Sequence, residues 1–151
     1  ARLEPGSCDA LLRAVRVMPR VIGGAFGQRF EGRHPELVPI EVLNDLRALF
    51  SRTSFGDQIQ FFHRRSAIQF DLMPKQPLME DVESSWRVRE HGEFLFLDYP
   101  SEVCHRRWRP SEWFRRFALV MRLVSRYRWA RLHGRDEAQR LSRELYGEYY
   151  K

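Results

Sequence analysis

The run WFRRFALVMRLVSRYRWA, residues 113–130, decides how this chain is read. Trp113, Phe117, Val120, Val124 and Tyr127 recur at helical spacing as one stripe, which Phe114 and Met121 widen. Leu119, Leu123 and Ala130 fall on the flank beyond the arginines, so the apolar surface nearly encircles the helix. Only Arg115, Arg122 and Arg126 form a clear polar strip. A helix so apolar all round wants cover on several sides. Pro110-Ser111-Glu112 is its entry signal, and His133-Gly134 breaks it, with Gly134 suited to a left-handed cap. Residues 136–146 restart the helix: Asp136/Arg140 and Arg140/Glu144 are i,i+4 charge pairs, and Ala138, Leu141 and Leu145 form a narrow apolar edge.

Working outward toward the N-terminus, residues 7–18 read as a helix with Ser7 as N-cap, Asp9 in the first turn and Pro19 as the stop. Residues 39–52 read as another, with Val42, Leu43, Leu46, Leu49 and Phe50 as a core-facing stripe. Between them, Gly23-Gly24-Ala25-Phe26-Gly27 reads as a flexible turn, without the GxGxxG or P-loop lysine of a phosphate cradle. Residues 58–72 are ambiguous: Ile68, Phe70 and Leu72 alternate as in a strand, whereas Ile59, Phe62 and Ser66 suit a helix. Residues 71–109 are punctuated by Pro74, Pro77 and Pro100 and show one short strand signal at 93–99. The expected fold is therefore mainly α: about four helices, an extended proline-punctuated central segment, and one or two short strands. The expected organisation is one structural unit, with an N-terminal helical part (1–70), an extended arm (71–109) and a C-terminal helical hairpin (110–151).

The chain has 151 residues, is 43% hydrophobic and carries a net charge of +6. That is enough apolar material for a core and too much for a disordered chain. No apolar run approaches the ~18–20 residues of a bilayer span. Cys8 and Cys104 could form one disulfide and cannot make a disulfide scaffold. Of the 26 basic residues only Lys75 and Lys151 are lysines. Arginine makes planar, bidentate contacts with carboxylates, phosphates and rings, and tolerates half-buried positions. The start Ala1-Arg2-Leu3, without methionine, together with the basic pI, is what a matured organellar protein or an excised domain would show.

Catalytic and metal motifs are missing: there is no CxxC, HExxH, EF-hand loop or GxSxG, so neither a cofactor nor a metal is expected. What stands out is arginine interleaved with aromatics. The candidate contact residues are Arg106, Arg107, Trp108, Arg109, Trp113, Arg115, Arg122, Arg126, Arg128 and Trp129. Such a surface suits a protein interface first, since Trp, Tyr and Arg are enriched there. It also suits anionic lipid head groups and, alternatively, RNA. The expected function is a non-catalytic accessory subunit of a large assembly, set in a mitochondrial inner-membrane energy-transducing complex, either a respiratory-chain complex or an ATP synthase. One alternative is an RNA-binding mitochondrial ribosomal subunit. Another is an enzyme or effector domain acting through Cys104.

Overall fold

The computed structural model describes residues 1–32, 34–104 and 112–150. Its elements run in chain order as β1 (Arg2–Leu3), α1 (Ser7–Val17), β2 (Val21–Phe30), a single 3-10 turn (Pro35–Leu37), α2 (Val38–Ser51), β3 (Gln60–Phe62), α3 (Arg64–Gln69), α4 (Glu80–His91), β4 (Glu93–Val103), α5 (Trp113–His133) and α6 (Arg135–Tyr149). The four strands form one mixed sheet in the order β1-β4-β2-β3. Its centre is the parallel pair β2/β4, with β1 antiparallel to β4 and β3 antiparallel to β2.

This corrects the mainly α expectation: the fold is α/β, with six helices among the described residues and a sheet that organises them. The expected turn at Gly23–Gly27 lies inside β2, the most deeply buried strand. Glycine is required there by close approach. A Cβ on Gly24 would sit 1.9 Å from the Leu95 carbonyl oxygen, and one on Gly23 would sit 2.7 Å from Val88 Cγ2. The central segment expected to be extended holds all of α4 and β4 instead. Pro100 is accommodated in β4 by an irregularity: Phe26 opposes Leu97, but Gly27 opposes Pro100, so Asp98 and Tyr99 bulge out to solvent. The strand option at Ile68, Phe70 and Leu72 gives way to α3, whose start is capped by the His63 side chain.

Three apolar clusters hold the layers together. Ala25, Leu72, Val88 and Phe94 fill the space between the sheet and α4. Phe30, Leu37, Ile40 and Val103 close the far end of β2/β4, where Trp113 and Phe117 of α5 pack on them. Leu123, Val124, Tyr127 and Ala130, further along α5, pack with Met79 just before α4, Val82 of α4, and Ala138 and Leu145 of α6. Helix α5 thus ties the end of the sheet to the helical side. It has the cover its sequence demands on that side only, because Phe114, Trp129 and Leu132 stay exposed.

Helices α4 and α5 are also joined by a buried ion cluster. Glu83 is 2% exposed and accepts from Arg87 Nε (3.0 Å), Arg131 Nε (2.8 Å) and the Tyr127 hydroxyl (3.0 Å). Arg87 continues to Asp71 at 2.5 Å, and Arg131 to Glu90 at 2.7 Å. Among the described residues, no helix is long and apolar enough to cross a membrane.

Candidate functional site

Helix α2 is mounted inside out. Its apolar stripe, expected to face the core, faces solvent: Val42, Leu43, Leu46 and Leu49 are 43–52% exposed and Phe50 is 79% exposed, with Val38 continuing the face at 48%. On a helical projection of ~100° per residue these side chains share one arc of about 140°. The opposite arc, carrying Ile40, Glu41, Asn44, Arg47, Ala48 and Ser51, turns inward.

A polar network explains the inversion. The Phe30 and Gln28 backbone N–H groups donate to Glu41 (2.6 Å) and Asp45 (3.0 Å). Asn44 donates to the Gln28 side-chain oxygen at 2.8 Å. Arg47 then donates to Asn44 at 2.7 Å, to Gln58 at 2.8 Å and to the Thr53 carbonyl at 3.1 Å, with its guanidinium 3.3 Å from the Phe55 ring centroid. Burial pulls Arg47 down to about 10, while Asp81, Asp45 and Asp57 oppose the fall, so it stays charged at neutral pH. A nearly satisfied buried network fixes one orientation strongly, since breaking it strands polar groups away from water. The Gln28 side-chain amide is the one loose end of this network, buried without an acceptor. Hydropathy alone pointed the helix the wrong way because it cannot see these partnerships.

At its C-terminal end the apolar face meets a basic notch. Ser51, the last residue of α2, offers its carbonyl to Arg89 of α4 at 3.1 Å. Arg52 follows in a left-handed conformation, φ 50°. Trp86, Arg89, Glu90 and Arg128 line a notch of about 250 Å³. Burial first, and then Arg128 and Arg52, lowers Arg89 from the ordinary arginine value. Glu90 is held by Arg131 (2.7 Å) and Arg135 (2.5 Å), which, against its partial burial, keep its carboxyl below the usual range.

The sequence-derived contact residues are dispersed. Arg106, Arg107, Trp108 and Arg109 lie outside the described residues. Trp113 is half-buried against the sheet end. Arg115 is exposed, while Arg122 and Arg126 both pair with Glu148 of α6. Trp129 is exposed with its ring 4.1 Å from that of His133. Arg128 alone joins the notch, its guanidinium 6.0 Å from the Trp86 ring centroid. Arg52, Trp86 and Arg89 were not singled out from sequence. No local pattern marks them, since they come from different elements.

Other hollows lie elsewhere among the described residues. Leu11 and Val15 of α1 with Phe61 and Phe62 of β3 wall a cavity of about 510 Å³, and His63 and Arg64 also line it. A smaller one, about 200 Å³, is lined by Asp81, Phe55, Leu123 and Tyr149. Asp81 accepts from the Gly56 and Val82 N–H groups, but burial and then Glu80 push its carboxyl up to about 6. A carboxyl raised above its unfolded value of 3.8 binds protons preferentially in the folded state, so stability falls as pH rises from about 4 to 6. Its contribution is about 1–2 kcal/mol, allowing for partial exposure. Urea unfolding at pH 4.5 and 7 should show this loss in the wild type and its disappearance in Asp81→Asn. An equal loss in both chains would contradict the assignment.

Cys8 and Cys104 are both exposed and unbonded, so the contemplated disulfide is not formed. Among the described residues no group of three His, Cys, Asp or Glu side chains could hold a metal ion. Comparison of the chain with protein-family models, curated proteins and solved structures finds no match.

Proposed function

We propose that this chain is a non-catalytic accessory subunit that docks on a partner protein through the outer face of α2. The carrying observation is the inversion of that helix: its polar side is locked inward and its apolar side, from Val38 to Phe50, is left to solvent. A contiguous apolar face of this kind marks an interaction site, unlike apolar side chains exposed singly. Burying these half-exposed side chains contributes on the order of 6 kcal/mol. Association costs roughly 4–15 kcal/mol, so the stripe needs a wider contact around it. Arg52, Arg89 and Arg128 at its end extend it toward a partner that carries acidic groups. A mitochondrial inner-membrane energy-transducing complex is retained as the proposed setting. An RNA surface along α5 has less to draw on, because Arg122, Arg126 and Arg131 already face carboxylates.

The double variant Leu46→Gln/Phe50→Gln tests the reading. In a lysate of its own cells the wild-type chain should run in an assembly larger than itself, and the variant should run alone. The purified variant should keep its stability within about 0.5 kcal/mol per site, as surface substitutions do. A loss of about 2–5 kcal/mol per site would mean that the stripe is core after all. A wild-type chain that runs at its own size would remove the partner.

A further inference from the structure

The notch at the end of α2 holds more positive charge than its surroundings neutralise. Arg87, Arg131 and Arg135 are committed to Asp71, Glu83 and Glu90. Arg52, Arg89 and Arg128 have no carboxylate partner among the described residues; the Ser51 carbonyl is the hydrogen-bond acceptor of Arg89. Six guanidiniums therefore stand against three carboxylates in this part of the molecule. Burial first, and then the neighbouring charges of Arg128 and Arg52, disfavour the charged form of Arg89. Trp86 and Glu90 line the same notch as Arg89 and Arg128; the Arg128 guanidinium lies 6.0 Å from the Trp86 ring centroid, and the Glu90 carboxylate is turned to Arg131 and Arg135. Arg52 occupies a left-handed backbone position that disfavours any residue with a side chain, and strain of this kind gathers at functional places.

We propose that the Arg89–Arg128 notch beside Trp86 is an oxyanion site that receives a phosphomonoester group. A carboxylate brings one negative charge and would leave two of the three guanidiniums uncompensated. A phosphomonoester near neutral pH carries close to two charges and three acceptor oxygens, matched to arginine forks. The same group can come from free phosphate or from a phosphorylated side chain. The proposal does not depend on the α2 face.

The test is calorimetric titration of the full chain with inorganic phosphate and with a phosphoserine peptide, against acetate at matched ionic strength. Saturable one-to-one binding is expected for the phosphate probes, about tenfold or more tighter than acetate. Arg89→Gln and Arg128→Gln, with folding checked by circular dichroism, should each weaken it about tenfold or more. Arg122→Gln and Leu46→Gln/Phe50→Gln should leave it unchanged. Arg52→Gly should melt higher yet bind more weakly, a combination that a purely structural arginine would not produce. A tighter phosphoserine peptide assigns the group to a protein side chain, and tighter inorganic phosphate assigns it to a free ligand. No saturation, equal affinity for acetate, or binding that survives both Arg89→Gln and Arg128→Gln would overturn the site.

Discussion

Gly24→Ala is expected to abolish the fold. Gly24 lies opposite Leu95 in the parallel β2/β4 pair, and its added Cβ would meet the Leu95 carbonyl oxygen at 1.9 Å and Phe61 Cζ at 2.6 Å. The phenylalanine ring could swing away, but a backbone oxygen in the neighbouring strand cannot yield without parting the strands. Overpacking of this severity belongs to the tail of substitution effects beyond about 4 kcal/mol. A domain of this size has only about 5–15 kcal/mol in total, so soluble expression should fail or the urea midpoint should collapse. Gly147→Ala in α6 is the matched control: nothing lies within 4 Å of its added methyl, and a helix interior prefers alanine. It should gain about 0.5–1 kcal/mol. If Gly24→Ala melts within a few degrees of the wild type, the strand pairing described here is wrong.

The second large effect is at Glu83. Removing this carboxylate by Glu83→Ala leaves Arg131 and Arg87, 10% and 13% exposed at their side chains, without the anion between them. It also strips the Tyr127 hydroxyl of its charged acceptor. Breaking one side of a buried ion pair typically costs about 3–5 kcal/mol, because the charge left behind cannot be solvated. Asp71 and Glu90 keep a hold on the two arginines, which places the expected loss near the lower end, about 3 kcal/mol. Chemical denaturation measures it. Glu83→Leu combined with Arg131→Met should recover much of the loss, since apolar replacement of both partners removes the stranded charge. A Glu83→Ala loss below about 1 kcal/mol would show that α4 and α5 are joined by packing alone.

How far the fold could be read from sequence follows from which physical signal each element uses. Helices α1, α5 and α6 present ordinary apolar stripes and lie where residues 7–18, 113–130 and 136–146 announce them, although Ser7 is the first helical residue behind Gly6 and not the cap expected of it. The break falls at Gly134 as expected, but its backbone sits at φ 140°, ψ 157° and not in the left-handed helical cap expected of it. Strand β2 was hidden because its glycines, chosen for close approach, also spell a turn. Helix α4 was hidden because Glu83, Ser84 and Ser85 are buried beside Val82 and Val88, so its inner face does not look apolar. The helix at α2 was legible but its orientation was not, because Glu41, Asn44 and Arg47 face inward only by virtue of Gln28, Phe30 and Gln58 elsewhere in the chain. Of the candidate site, arginine excess was visible in composition. Which arginines stay uncompensated depends on pairings across α2, α4, α5 and α6 that no spacing rule encodes.

The parallel centre of the sheet has a consequence for how the molecule is made. Val21 opposes Glu93 and Phe30 opposes Val103, so β2 leaves the ribosome long before its central mate is synthesised. Until then β2 can pair only with the three residues of β3. Pairings this distant along the chain form late and leave strand edges open meanwhile. A nascent chain halted before residue 93 would thus display an unmated glycine-rich edge, a ready client for a chaperone that shields β-strands during translation.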